Sequence, residues 1–435
     1  MMNQIFRNEY ASILRSKMKY LLIGFVFVFK SLITSGQDVY VDKADTVHKN
    51  NSLIVLPFSF YLKTLGVSAA VDVAGRGFLQ EQTSSTLIGL ISTNGSRYVY
   101  GDMTNLQVPF AKRVFVSPNI NIAHYGALDV YYDGYRAAGK NKSSSDNFYR
   151  LQSNKYEAEL QFRYLLPIGY GRNEVLNHVV LDKGIPEQGK LFSGSYWPIA
   201  NGRTFIEPGL FYQNQYMKEP FNRKLVSAGY TMGFTCENVD FVANPSVGDM
   251  FSFKYRKGTA ALSSTTPWDM MEGTASFYFP IPAKHLVQQV LAFNIWTRYV
   301  TSWDEVSNGI YHRPSPFAGA NLGGRFRLRG FPEARFSDRA ALLYTGEYRI
   351  IPKWNPLANW GLLKSLGVKL DWMQLVVFGE AGRVTPDWDI DTFHQKMKTD
   401  AGLGLRFMAN QMIVRIDGAY STEGVQCQMY INHAF

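Results

Sequence analysis

Residues 425–435 read Val425, Gln426, Cys427, Gln428, Met429, Tyr430, Ile431, Asn432, His433, Ala434, Phe435. One alternate set holds Val425, Cys427, Met429, Ile431, His433 and Phe435, and the other holds Gln426, Gln428, Tyr430 and Asn432. A period of two sends successive side chains to opposite faces of a strand, so the first set suits lipid and the second suits water. The same division recurs upstream. In Lys155 to Tyr164, the residues Tyr156, Ala158, Leu160, Phe162 and Tyr164 alternate with Lys155, Glu157, Glu159, Gln161 and Arg163. Phe251, Phe253 and Tyr255 oppose Ser252, Lys254 and Arg256; Leu403, Leu405 and Phe407 oppose Gly402, Gly404 and Arg406; Val414 and Ile416 oppose Arg415 and Asp417.

A charge on the lipid face near mid-membrane costs about 2 to 4 kcal/mol, so charges kept to the other face indicate a wet lumen. The expected fold is therefore all-β, a closed antiparallel transmembrane β-barrel. Counting segments gives about 16 strands, with about 14 or 18 where a short strand is missed or split. The N-terminus is expected on the periplasmic side, with even-numbered links short and odd-numbered ones longer. Residues 167–202, rich in Gly and Pro, make an unusually long periplasmic link that fits either a partner-docking element or a cap on the barrel base. Residues 353–365 are expected to hold one short helix.

Composition agrees. The chain has 26 Tyr, 30 Phe and 37 Gly with 18% charged residues, which suits amphipathic strands bounded by aromatic girdles. Residues 1–36 carry Arg7, Arg15, Lys17, Lys19 and Lys30 against Glu9, so the net charge of +10 falls to +6 without them. The remaining surplus is scattered, and no basic stripe points to nucleic acid. Lys17 and Lys19 precede the apolar run Leu21 to Phe29, and Ser35 and Gly36 precede Gln37. This pattern predicts a cleaved signal peptide over 1–36, with Met18 as an alternative start and Lys30 as an interruption. Residues 37–51 then read as a short periplasmic linker and 52–435 as the barrel domain. No stretch is apolar for the length of a membrane helix. Cys236 and Cys427 have no metal-ligand spacing, and no metal or cofactor is expected.

One loop stands apart. Between the eleventh and twelfth expected strands lies Asp304 to Arg339, containing Gly323, Gly324, Arg325, Phe326, Arg327, Leu328, Arg329, Gly330 and Phe331. Such a loop folded back into the barrel would set its arginines against acidic lumen residues, and alternation turns Glu347 and Glu380 inward. Here the chain resembles the BamA/TamA superfamily of outer-membrane barrels, of bacterial surface antigen type. The family's loop-six motif of hydrophobic, Arg, Gly, aromatic is matched by Leu328, Arg329, Gly330 and Phe331. Its wall motif of Phe, any residue, Asp, any residue, Gly is matched by Phe378 to Gly382, with Glu380 in place of Asp. The terminal Phe435 matches the sorting signal read by the barrel-assembly machinery, an expected partner for insertion.

The resemblance implies a loop pinned inside the lumen by Arg329 with Glu347 or Glu380, where a planar guanidinium can hold a carboxylate bidentately. It implies assembly, insertion or translocation of proteins at the outer membrane of a Gram-negative-type bacterium. A POTRA domain of family members needs some 75 residues, and Gln37 to Asn51 leaves no room for one. Pro57, Gly418 and Gly424 lie near the first and last strands, as a weak seam or as ordinary edge features. A scaffold for surface lipoproteins or for another barrel, and a passive porin, remain alternatives. Enzyme activity is not expected: the seven histidines lack metal spacing, no nucleophile elbow appears, and Gly402 with Gly404 form no dinucleotide loop.

Overall fold

The computed structural model describes residues 38–43, 51–62, 65–131, 140–187, 201–265, 267–282, 284–302, 305–307, 310–311, 314, 318–358, 360–361, 368–431 and 433–435. The expected signal peptide lies outside these residues, as do 359 and 362–365 of the stretch expected to hold a short helix. In chain order the strands are β1 (Asp38–Asp42), β2 (Ser52–Leu62), β3 (Gly66–Arg76), β4 (Ser84–Ser92), β5 (Arg97–Thr104), β6 (Leu106–Val108), β7 (Ala111–Val130), β8 (Tyr149–Leu165), β9 (Asn177–Asp182), β10 (Ile185–Pro186), β11 (Arg203–Met217) and β12 (Arg223–Val239). They continue as β13 (Gly248–Gly258), β14 (Trp268–Pro280), β15 (Leu286–Val300), β16 (Glu305–Ser307), β17 (Ile310–Tyr311), β18 (Ala320–Leu322), β19 (Phe336–Asp338), β20 (Ala340–Pro352), β21 (Leu370–Thr385), β22 (Lys398–Ala409), β23 (Met412–Ser421) and β24 (Gly424–Ile431). Among the described residues a short helix, α1, spans Ile390–Phe393.

Seventeen of these strands make the barrel sheet. β5 and β6 both pair with β7 and are two pieces of one stave, interrupted at Asn105 with its φ of 61°. The barrel thus has the sixteen staves that the alternation predicts, each antiparallel to its chain neighbour. On the side where the sheet comes round, Asn410 Nδ2 donates to the carbonyl of Leu53 at 3.3 Å, and Ile54 and Leu56 pack with Met412 and Val414. Faces divide as the period of two requires. Outward-pointing Leu403 and Val425 are 67% and 71% exposed, whereas inward-pointing Arg406 and Arg415 are fully covered. Antiparallel order sets the turns 77–83, 109–110, 240–247 and 410–411, with both described ends of the chain, at one end of the barrel, here called the base.

The long link 167–202 and the segment 37–51 meet at that base. β1 pairs in parallel with β9, and β9 turns antiparallel into β10. Tyr40, Val179 and Leu181 pack against the inward side chains Ile351, Trp372, Met408 and Ile413 and against Phe241 in the 240–247 turn. The link is therefore a cap on the barrel base, and the expected linker contributes a strand to it.

The ending of the chain departs from expectation. Alternation placed His433 and Phe435 on the lipid face, yet the strand stops at Ile431 and the tail turns into the lumen. His433 is 2% exposed with Nε2 3.0 Å from Asn244 Oδ1, and Phe435 stacks on inward-facing Tyr278 at 6.3 Å. Once the ladder ends, burial of an aromatic ring outweighs a period that no partner strand enforces.

Candidate functional site

The loop between β15 and β20 enters the barrel from the rim. β18 and β19 form its stem, and residues 323–335 form its tip. Gly323 and Gly324 sit at φ of 106° and 102°, which reverses the chain sharply, and Leu328 adopts a φ of 51° just before the critical arginine. Backbone bonds close the tip: Gly323 N–H to Arg327 O at 2.9 Å, Gly324 N–H to Phe331 O at 2.9 Å and Phe331 N–H to Leu328 O at 3.0 Å. Leu328 and Phe331 are fully buried in an apolar cluster with Trp268, Trp296, Leu322, Phe336 and Leu343.

Arg329 projects from this tip into a group of carboxylates supplied by four wall strands. Its Nη1 lies 2.8 Å from Glu347 Oε1 and 2.9 Å from Asp417 Oδ2, and its Nε lies 3.3 Å from Glu380 Oε2. The guanidinium stacks over the Phe378 ring at 3.5 Å. Glu380 also accepts the backbone N–H of Arg329 at 2.6 Å and the Thr345 hydroxyl at 3.1 Å. Next along, Gly330 N–H donates to Asp400 Oδ2 at 2.6 Å, and its carbonyl accepts from Ser421 Oγ at 2.6 Å. Gln428 Nε2 donates to the Arg329 carbonyl at 3.0 Å. A Cβ at Gly330 would stand 2.7 Å from Asp400 Cβ and 3.0 Å from Ser421 Cβ, so glycine is needed for this close approach.

Further arginines hold the same carboxylates. Arg349 Nε holds Glu347 Oε2 at 2.8 Å, Arg406 pairs with Asp417, and Arg415 reaches Asp417 at 3.5 Å while donating to the Arg325 carbonyl at 2.9 Å. Arg329, Arg349, Arg406 and Arg415 thus face Glu347, Glu380, Asp400 and Asp417. All are buried. Burial works against the charge on Arg329, but Glu380, Asp417 and Glu347 outweigh it and hold the guanidinium above its ordinary value. The other loop arginines are placed as well: Arg327 stacks on Trp296 at 3.8 Å, and Arg335 holds Glu423 at 2.8 Å and donates to Ser143 Oγ at 2.8 Å.

Of the residues singled out in the sequence, Arg329, Gly330, Glu347, Phe378 and Glu380 come together at one point. Leu328 and Phe331 flank it in the apolar cluster. Gly382 serves the stem, where a Cβ would stand 3.0 Å from Leu322 Cδ1. Phe435 lies apart at the base and reaches the network through Arg349, whose guanidinium sits 5.0 Å from its ring. Asp400, Asp417, Ser421 and Gln428 were not anticipated as contacts of the loop, although alternation had already turned Arg406, Arg415, Asp417 and Gln428 inward.

No protein-family model matches the sequence, and no curated protein matches it. Solved structures do. CdiB from Escherichia coli superposes with a TM-score of 0.52 at 12% identity, over 88% of this chain and 62% of that one. CdiB from Acinetobacter baumannii gives 0.50 at 12%, over 88% and 59%. The fold is that of these CdiB barrels. A BamA from Haemophilus ducreyi lacking POTRA domains 1–3 gives 0.45 at 14% identity, over 88% of this chain and 70% of that one. The chain therefore spans about three fifths of the length of the CdiB proteins it matches.

Proposed function

We propose that this chain is an integral outer-membrane barrel acting in the assembly, insertion or translocation of proteins, without catalytic chemistry of its own. Outer-membrane lipids, the barrel-assembly machinery and a periplasmic or surface lipoprotein are its proposed partners. The observation that carries the reading is the loop tip locked by Arg329 and Gly330 onto wall strands β20 to β23. A loop in the lumen narrows a passive pore, and its fixing to four wall strands also suits a barrel that must hold a defined shape while handling a client. Depletion of the protein followed by quantitative proteomics of outer-membrane and periplasmic fractions tests this. Accumulation of a restricted client set in the periplasm is expected. Unchanged fractions, together with a stoichiometric partner recovered by affinity purification in mild detergent, would replace this reading with that of a scaffold subunit.

The scaffold reading has one observation in its favour. Among the described residues, the cavities of about 170 and 90 Å³ beside the loop tip are lumen space that the loop narrows.

A further inference from the structure

The base of the barrel carries a site that the loop-centred reading does not use. β1 crosses the lumen mouth and touches widely separated parts of the wall. At Asp38, the carboxylate pairs with Arg203 Nη1 of β11 at 3.1 Å and accepts from Asn177 Nδ2 at 2.8 Å, while its carbonyl accepts from Arg76 of β3. Two residues on, Tyr40 lies under the Arg76 guanidinium at 3.5 Å, meets Phe241 edge-on at 5.1 Å, and enters the pocket that includes Trp372 and Ile413. Asp38, Val39 and Tyr40 are almost fully covered.

The way β1 is held resembles the way a protein holds a peptide. Among the described residues it has one ladder, five residues long and parallel, to β9, and it is the outer strand of its small sheet. Beyond the ladder its hold comes from the Asp38 carboxylate and carbonyl, the Tyr40 ring and buried Val39, followed by an ion pair of Asp42 with Lys369 and an exposed one of Lys43 with Glu187 that contributes little. Ladder bonds give affinity and alternate side-chain pockets give selectivity when an extended peptide joins a sheet edge. The acceptor surface is formed by β9, the arginine pair Arg76 and Arg203, and the Tyr40 pocket. Any extended segment with an acidic residue two positions before an aromatic one would satisfy it.

We propose that residues 38–42 are an exchangeable stopper: an internal ligand of a strand-accepting site at the barrel base, which an extended acidic–aromatic segment of a partner polypeptide occupies when β1 leaves. Exchange unseals the base. The proposal stands whether the barrel inserts clients or serves as a scaffold.

The test uses a fluorescent peptide of residues 38–43 of this sequence and the detergent-solubilised chain, read by anisotropy. A variant lacking 38–43 is expected to bind the peptide saturably. The full chain should bind it at least tenfold more weakly, and the Val41→Cys/Val180→Cys variant should lose binding on oxidation and regain it on reduction, since these positions are registered partners. Peptides carrying Asp38→Asn or Tyr40→Ala should each lose at least tenfold. Absence of saturable binding to a heat-modifiable deletion variant overturns the proposal, as does equal binding of the altered peptides. Should the deletion variant not fold, hydrogen exchange on the full chain decides. Exchange of 38–43 at least tenfold faster than that of wall residues 345–350 is expected, and equal protection refutes exchange.

Discussion

Replacing Arg329 by alanine removes the one side chain that joins the loop to three wall carboxylates. Breaking a buried ion pair by deleting one partner costs about 3 to 5 kcal/mol, because the remaining charge keeps its desolvation penalty without compensation. Here the residual charges are unequal. Glu347 retains Arg349 at 2.8 Å and Arg406 at 3.6 Å, and Asp417 retains Arg406 and Arg415. Only Glu380 is left with no cation, supported by Thr345 and the backbone amide at position 329. The expected loss for Arg329→Ala therefore lies near the lower end, about 3 kcal/mol. Arg329→Lys keeps the charge but, as a point donor, forfeits the fork and the stacking on Phe378. It should lose about 1.5 to 3 kcal/mol. Both are read from urea unfolding in detergent micelles, with semi-native electrophoresis to follow the compact form. Adding Glu380→Gln to Arg329→Ala should recover part of the loss, since it removes the stranded charge. A loss below about 1 kcal/mol for Arg329→Ala, the range of exposed surface pairs, would refute the buried-network argument.

Three other outcomes follow from the geometry. Gly330→Ala forces a methyl to within 2.7 Å of Asp400 Cβ, and should cost about 1 to 3 kcal/mol and open the 323–335 tip to surface protease on intact cells. His433 should make the tail acid-sensitive. Burial first, then Arg349, Arg406 and Arg415, hold it well below its ordinary value despite Glu347, so the docked tail needs the neutral ring. Its contribution is full above the unfolded value of about 6.5 and is lost as pH falls below it, which hydrogen exchange of residues 424–431 at pH 7.5 and pH 5 measures. Trp388→Ala removes the indole N–H bond to Thr297 Oγ1 at 2.8 Å and the edge contact with Phe393, and should loosen the segment 386–397 by about 1 kcal/mol, seen as faster local proteolysis with the wall unaffected.

The wall of this barrel was legible because a period of two is a local property. Tyr156 against Glu157, or Leu405 against Arg406, announces its face without knowledge of any partner strand. The pairing of Arg329 with Glu347 and Glu380 was legible for a similar reason, once the loop was taken to fold inward. What alternation does not convey is which inward charges converge. Asp417 lies on β23 and Glu347 on β20, and staves that tilt and stagger around a barrel bring such residues to one point, a property of the whole barrel. The base was less legible still. Asp38–Asp42 is five residues long, and its partner Asn177–Asp182 lies far along the chain, so nothing local marks the pair. His433 and Phe435 were misplaced because the period was continued up to four residues past Ile431, the last ladder partner.

A second buried chain of charge lies towards the base: Arg163 holds Glu207 at 2.8 Å and Glu237 at 2.7 Å, and Arg203 links Glu237 at 2.8 Å to Asp38. In both networks an arginine links carboxylates carried by different strands. Stability alone does not account for them, since well-packed apolar residues of similar volume often match or exceed a buried ion pair. Register does. Slipping one stave by a residue would send its arginine or glutamate into lipid, at about 2 to 4 kcal/mol for a basic side chain at mid-membrane, and would strand its former partner in the lumen. An apolar lumen has no such penalty, because Leu and Met are equally content on either face. The charges therefore select one alignment of sixteen staves, and with it one seat for the loop tip and one for β1. An apolar replacement of Arg163, Glu207 and Glu237 together should accordingly keep the barrel heat-modifiable while β1 loses its protection from exchange.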